Sequence, residues 1–266
     1  MPQVFRGGRS IHFTATGSGP SVLLVPGLGA GARLFGTLPR RFAREGFTCA
    51  ALDPVGLPPS GPPRPTLDLW ESALDVRAAA EALPPPVFLV GTSLGGKIAL
   101  AATGGDPGPI ARVVLLASSA VATQRSLSVY RFFERIASEA DPASIPDLLA
   151  PFLFGHSFHE RHPGAVEDIL RAMTFDEPVR SLMRSQARAL CRFRVEDLAR
   201  ACPVETLCLA GSEDSLTMAS EVERTAALLP RGRYELVEGA GHSLLLEHAG
   251  VFDRVLSFLR EGVPGP

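Results

Sequence analysis

Residues 88–100 read FLVGTSLGGKIAL, and Ser93 stands there between two glycines, after an apolar run and ahead of a helix-like stretch. A serine hydroxyl attacks a carbonyl only if a base accepts its proton and a third group orients that base. The sequence offers six histidines. One of them, His242 in EGAGHSLLL, lies between the last strand-like run and the last helix-like run. Asp214, in AGSEDSLT, follows the penultimate strand-like run. Ser93, Asp214 and His242 thus each fall just past a different predicted strand. On a parallel sheet the carboxyl ends of the strands share one edge, so the three can meet there. The chemistry open to such a trio is acyl transfer, with Ser93 as nucleophile, His242 as base and then acid, and Asp214 orienting His242. Gly91 and Gly95 leave room for a strained strand-to-helix turn, and Gly96 lets the helix approach neighbouring strands.

The elements that must position these residues follow from periodicity and turn signals. RSIHFTAT (9–16) alternates polar and apolar residues and reads as an edge strand after a short VFR strand, ended by GSGP. SVLLVP (21–26) and FTCAAL (47–52) are continuous apolar runs, as in strands buried on both faces. VFLV (87–90), RVVLLAS (112–118), VETLCLAG (204–211) and RYELVEG (233–239) are further strands. Helix-like stretches cover 32–45, 69–83, 94–103, 218–229 and an amphipathic 244–260. This alternation predicts an α/β fold, a mostly parallel central sheet with helices on both faces. From 121 to 200 there is no strand pattern, only helix-like pieces broken at Pro142, Pro146, Pro151, Pro163 and Pro178. The predicted organisation is one core domain, 1–120 plus 201–266, with a helical insertion at 121–200.

Taken together and in this order, the motifs resemble those of the α/β-hydrolase fold family over nearly the whole chain. VGTSLGG matches the nucleophile elbow, and LLVPGLGAG the loop that usually reads His-Gly, with Pro26 in place of the histidine. DPVGLPPSG echoes the family's Asp-x-x-Gly-x-Gly-x-Ser segment at Asp53, Gly56 and Ser60, with Pro58 at the second glycine. LAGSEDSLT and GAGHSLLLE match the acid and histidine loops, and 121–200 falls where the family inserts a helical cap. The resemblance implies an oxyanion hole from the backbone N–H groups of Leu28 and Leu94, neither of which Pro26 removes. Some members carry the acid one strand earlier, but SSAVAT there has no carboxylate, which favours Asp214. Glu213 is the immediate competitor, with a longer side chain and a less suitable place in the loop.

The activity so implied is a cofactor-independent serine hydrolase of a small, mostly apolar carboxylic ester, lactone or thioester. Members that cleave carbon–carbon bonds of ring-fission products are the nearest alternative, and Arg188 or Arg192 could serve there. Ser243 stands where that group carries Trp, which lowers it. Serine rather than aspartate at position 93 argues against haloalkane dehalogenase or epoxide hydrolase chemistry.

GLGAGA (27–32) also fits a dinucleotide-binding Gly-x-Gly-x-x-Ala, with Asp53 where a ribose acid would stand. A nicotinamide-dependent oxidoreductase is therefore the second hypothesis. Against it, the loop follows the third strand rather than the first, and Pro26, Leu34 and Phe35 crowd the place of a pyrophosphate. His156, His159 and His162 spread over a wide arc without a carboxylate or cysteine set, so they read as packing or surface residues rather than metal ligands. No cofactor and no metal is expected.

Seven of the 15 phenylalanines fall within 121–200. Some must pack the insertion itself, and the rest should line an apolar pocket over Ser93. Phe154 and Phe158, flanking Gly155 as a bending point, are the first choices, with Phe132 and Phe133 beside them. Arg180, Arg184, Arg188 and Arg192 form a stripe on one helix face, either solvated or gathering an anionic substrate. A net charge of −2 argues against nucleic-acid binding, which needs a basic excess. No run reaches the ~18 apolar residues of a membrane span. The start has no apolar leader and the four cysteines form no Cys-x-x-Cys pair, so a cytoplasmic protein with free thiols is expected, its partner a small-molecule substrate. Nothing in the pattern sets an oligomeric state.

Overall fold

The computed structural model describes residues 3–64 and 66–263. Five strands with apolar runs in their sequence lie side by side and parallel. They are β3 (Ser21–Val25), β4 (Thr48–Asp53), β5 (Val87–Thr92), β6 (Ile110–Leu116) and β7 (Glu205–Gly211). β8 (Gly232–Val237) extends the parallel set, while β1 (Gln3–Arg6) and β2 (Arg9–Thr16) add an antiparallel hairpin at the other edge. The eight strands run in the order β1-β2-β4-β3-β5-β6-β7-β8.

Both faces of this sheet are covered, which is why its strands tolerate unbroken apolar sequence. Leu23, Leu89, Val113 and Leu115 face one side, under α2 (Leu69–Glu81), α3 (Leu94–Ala102) and α10 (Ala219–Leu228). Their chain neighbours Val22, Leu24, Phe88, Val90, Val114 and Leu116 face the other, under α1 (Leu38–Arg44) and α12 (Gly250–Arg260). Phe42 of α1 packs on Phe252 of α12 with ring centroids 4.9 Å apart.

Two stretches read as single helices are divided. In 32–45 a 3-10 turn at Ala32–Phe35 ends at Gly36, whose φ of +49° no helix continues, and α1 starts at Leu38. In 244–260 the short α11 (Leu244–Glu247) stops at His248, which is extended, before α12 begins. The reason lies in Glu247, whose carboxylate turns back onto the loop before it, as described below.

Between β6 and β7 the described chain is helical: α4 (Gln124–Glu139), α5 (Ile145–Leu153), α6 (His156–Arg161), α7 (Pro163–Ala172), α8 (Glu177–Leu190) and α9 (Glu196–Arg200). Pro146, Pro163 and Pro178 open α5, α7 and α8, where a missing N–H costs nothing, whereas Pro151 lies inside α5. Thr123 caps α4 in a reciprocal pair with Ser126, and Asp176 caps α8 by accepting from Val179 N at 3.1 Å. α4 and α8 pack through Phe133, Ile136, Ala137, Met183 and Ala187. Among the described residues no helix is long and apolar enough to cross a membrane.

Candidate active site

The three residues singled out in the sequence stand at the carboxyl ends of β5, β7 and β8. Ser93 follows β5 with φ 53° and ψ −120°, a left-handed conformation that a non-glycine residue adopts only when its surroundings impose it. Its own N–H donates to Leu116 O at 2.9 Å and its carbonyl accepts from Gly96 N at 3.1 Å. The flanking glycines make this turn possible. A Cβ on Gly91 would stand 2.5 Å from Gly95 O, and one on Gly96 2.5 Å from the Ser118 Cβ.

His242 and Asp214 are joined. His242 Nδ1 lies 2.8 Å from Asp214 Oδ2, with the aspartate side chain wholly buried and the histidine 8% exposed. The other oxygen of Asp214 accepts the N–H groups of Leu216 at 2.8 Å and Thr217 at 2.9 Å. A carboxylate accepting at Nδ1 fixes the proton there and leaves Nε2 as the acceptor nitrogen of the neutral ring. Burial opposes charge on His242, but the attraction and hydrogen bond of Asp214, with Glu247 behind them, outweigh it and raise the imidazole above its ordinary pKa. Glu213 turns away. Its carboxylate accepts from Ser157 N at 2.7 Å and from Ser157 Oγ, and these bonds hold it below the usual carboxylate range.

Ser93 and His242 line one cavity of about 1200 Å³, together with Leu28 and Leu94. The Leu94 N–H belongs to the first turn of α3, where a helix offers no internal acceptor. The Leu28 N–H has no acceptor on the chain among the described residues. Two unfilled donors therefore border the cavity beside Ser93.

Pro26 leaves open how the Leu28 loop is held, and two side chains answer it. Gln186 of α8, 3% exposed, accepts from Gly29 N at 2.8 Å through Oε1. Asp53 accepts from Ala32 N at 2.8 Å through one oxygen and meets His12 Nδ1 at 2.9 Å through the other. These bonds occupy the Gly29 and Ala32 N–H groups and both oxygens of the carboxylate that a ribose would need, which counts against a dinucleotide cradle in the glycine loop.

The structure divides the aromatic side chains expected at the pocket and corrects the expectations for Gly155 and the arginine stripe. Phe133 and Phe154 line the cavity, but Phe132 and Phe158 are not among its lining residues. Phe132 is 38% exposed and packs outward on Phe152 with centroids 5.3 Å apart, because it and Phe133 are neighbours on one helix and point to different sides. Phe158 stacks behind Phe154 at 5.6 Å in a small cluster with Val166. Gly155 is no free bending point, since its N–H donates to Glu247 Oε2 at 2.8 Å and a Cβ there would meet Gly241 N at 2.8 Å. The arginine stripe is absent from the cavity wall. Arg188 pairs with Glu134 at 2.8 Å, Arg184 with Glu177 at 3.4 Å, and Arg180 donates to Ala137 O and Ala140 O. His159 and His162 pack their rings on Phe154 and Phe158.

Two residues of the site carried no signal strong enough to single them out. Glu247 accepts from Gly241 N at 2.7 Å and Ser243 N at 2.8 Å, gripping His242 from both sides. Its place five residues after His242 in GHSLLLE was visible, but its role needs the helix break. Gln186 lies within an ordinary helical stretch and is legible only in three dimensions.

The profile of the alpha/beta hydrolase fold family matches residues 20–249, and the chain belongs to that family. It is a hydrolase. It is similar to a pimeloyl-[acyl-carrier protein] methyl ester esterase of Xylella fastidiosa, 27% identical over 96% of this chain and 100% of that protein. It is also similar to part of the polyketide synthase ThaQ of Burkholderia thailandensis, at 28% identity over 96% of this chain, which spans only 12% of the synthase. Among solved structures, the enol-lactonase of Burkholderia xenovorans LB400 superposes with a TM-score of 0.85, at 20% identity over 97% of this chain and 100% of that one.

Three outcomes follow for the site. Because Asp214 raises the His242 pKa, the acid limb of kcat/KM should have its midpoint above ~6.5, with activity lost as pH falls through it. Asp214→Asn should lower kcat by orders of magnitude, and Glu213→Gln should cost far less; the reverse ranking, measured in one pH-rate series, would assign the acid to Glu213. Gln186→Leu leaves the Gly29 N–H without its buried acceptor, a loss of about 1–3 kcal/mol. It should lower kcat at least about fivefold with KM nearly constant, and a change in KM alone would place Gln186 in substrate binding instead.

Proposed function

We propose that the chain is a serine hydrolase of carboxylic esters, with Ser93 as nucleophile, His242 as base and then acid, and Asp214 as its orienting group. The observation that carries this reading is the buried His242–Asp214 pair facing one cavity with a serine held in a strained turn. Attack of Ser93 Oγ on the ester carbon transfers the hydroxyl proton to His242 Nε2. The oxyanion that forms would be met by the N–H groups of Leu28 and Leu94, donors fixed before the reaction begins. Collapse breaks the bond to the alkoxide, which takes the proton from His242, and leaves an acyl-enzyme. Water, deprotonated by the same nitrogen, then releases the acid and restores Ser93.

The relatives named for a methyl ester and an enol lactone support an acyl–oxygen bond as the one cleaved. The cavity supports a substrate with an apolar acyl chain, since Phe133, Leu149, Leu153, Phe154 and Met183 line it. A thioester remains within the same chemistry, because only the leaving atom changes. In this reading the helical segment 121–200 acts as a cap that sets selectivity, and the sheet domain carries the reacting groups.

A fluorophosphonate probe should label the protein at Ser93, and Ser93→Ala should abolish labelling while the far-ultraviolet circular dichroism stays unchanged. Labelling that persists in this variant would sink the assignment.

For the cap, Phe133→Ala should weaken long acyl chains most. Each buried methylene contributes ~0.8 kcal/mol, so two lost methylene contacts imply roughly a 15-fold drop in kcat/KM for a hexanoyl ester. An acetyl ester, too short to reach α4, should change little. Equal losses for both esters would show that Phe133 does not bound an acyl pocket.

A further inference from the structure

Lys97 is the only lysine in the chain, and the reaction outlined above gives it no part. It lies four residues beyond Ser93, about one turn along α3. It is 8% exposed and lines the same cavity as Ser93. An ammonium carries three donors and is almost never buried without partners. Among the described residues one acceptor bonds it, the Ser119 carbonyl. Burial pushes the Lys97 amine down to about 8, against the opposing pull of Glu221 and Glu196 and with a further push from Arg194. No carboxylate stands within ion-pair distance of it among the described residues.

Around Lys97 the cavity wall carries polar side chains. Glu221, 6% exposed, lines it and has one oxygen taken by Thr123 Oγ1 at 2.7 Å. Tyr130 lines it too and shares Glu221 and Arg194 as charged neighbours with Lys97. Tyr130 and Phe133 are about one turn apart on α4 and both line the cavity that Ser93 and Lys97 share. A desolvated ammonium with donors to spare gains most from an oxygen acceptor brought by the ligand. A substrate carboxylate would face Glu221 across the same space, and like charges repel there; a neutral oxygen meets no such cost.

We propose that Lys97 forms a polar subsite for a neutral oxygen acceptor, a keto or hydroxyl group carried on the acyl chain a few bonds from the scissile ester. The subsite makes Lys97 a specificity-determining residue that favours oxygenated acyl chains over plain alkanoates. It rests on the ester-hydrolase reading above for its reaction, but not for its binding.

The test compares p-nitrophenyl 5-oxohexanoate with p-nitrophenyl hexanoate. The wild-type protein should prefer the keto ester, and in Lys97→Met, which keeps the length and removes the donors, the keto-to-plain ratio of kcat/KM should fall roughly tenfold, as expected for one hydrogen bond to a charged group. A ratio that does not move would overturn the subsite and leave Lys97 as a strut for the Ser119 carbonyl. Because the chain has a single lysine, nitrogen-15 lysine labelling gives one side-chain Nζ signal, readable without turnover or a second fold-sensitive variant. In the labelled Ser93→Ala protein the keto ester should shift that signal and the plain ester should not; equal responses count against the proposal. If neither ester shows Ser93-dependent turnover, the hydrolase reading fails, and the Nζ signal still decides the subsite.

Discussion

A serine at φ 53° sits in a backbone region that costs on the order of 1–3 kcal/mol, and here the neighbouring strands impose it. α3 lies so close on the sheet that Gly91 and Gly95 touch backbone to backbone and Gly96 rests on Ser118. Ser118 itself follows Ala117, a second non-glycine residue with positive φ, whose N–H is bound to Leu209 O at 2.9 Å. The strain at Ser93 is therefore held by three adjacent strand ends rather than by its own loop. The parallel register keeps those ends level, with Thr92 opposite Leu116, Leu116 opposite Leu209 and Gly211 opposite Val237. A sheet that slipped by one residue at any of these pairs would turn the side chains to the other face and separate Ser93 from His242.

The loops at that edge have no ladder to hold them, and carboxylates take the place of one. Asp53 binds Ala32, Asp214 binds Leu216 and Thr217, Glu247 binds Gly241 and Ser243, and Glu213 binds Ser157, each through backbone N–H groups. Bonds to an ionised acceptor contribute about 1.5–3 kcal/mol each, enough to order a short loop. Two of these clamps also reach the helical segment: Glu247 holds Gly155, and Glu213 holds Ser157. Gln186 runs the other way, from α8 to the loop of Leu28. The helices over the cavity and the donors beside Ser93 are thus mechanically joined, and a change of pocket shape through α8 carries a change in the placement of Leu28.

Much of this was legible in the sequence because its signals are local. VGTSLGG demands a tight turn, apolar runs of five to seven residues demand strands covered on both sides, and Ser93, Asp214 and His242 each follow such a run. What was not legible depends on which face of a helix meets what. Phe132 and Phe133 differ by one position and about 100° around α4, which decides solvent or cavity, and no periodicity in RFFERIA chooses between them. The break at His248 could not be read from the apolar spacing of 244–260, which α12 continues; it is set by Glu247 folding back on Gly241 and Ser243. Gly155 carried the signal of a bend and proves to be a point of close approach, since both roles need the same missing side chain.

The His242–Asp214 pair places opposite demands on pH. A histidine whose pKa is raised in the fold stabilises it most below its unfolded value of ~6.5, and that contribution is lost as pH rises through the folded value. A neutral imidazole, the form able to accept a proton from a serine, exists above that same folded value. The form in which the ring can act as a base is therefore the one in which its partnership with Asp214 stabilises least, and the acid loop needs another anchor. Asp214 supplies it through its second oxygen, which stays bound to Leu216 and Thr217 whether or not the imidazole is charged. The geometry of the pair survives the loss of its charge because only half of the carboxylate is committed to the histidine.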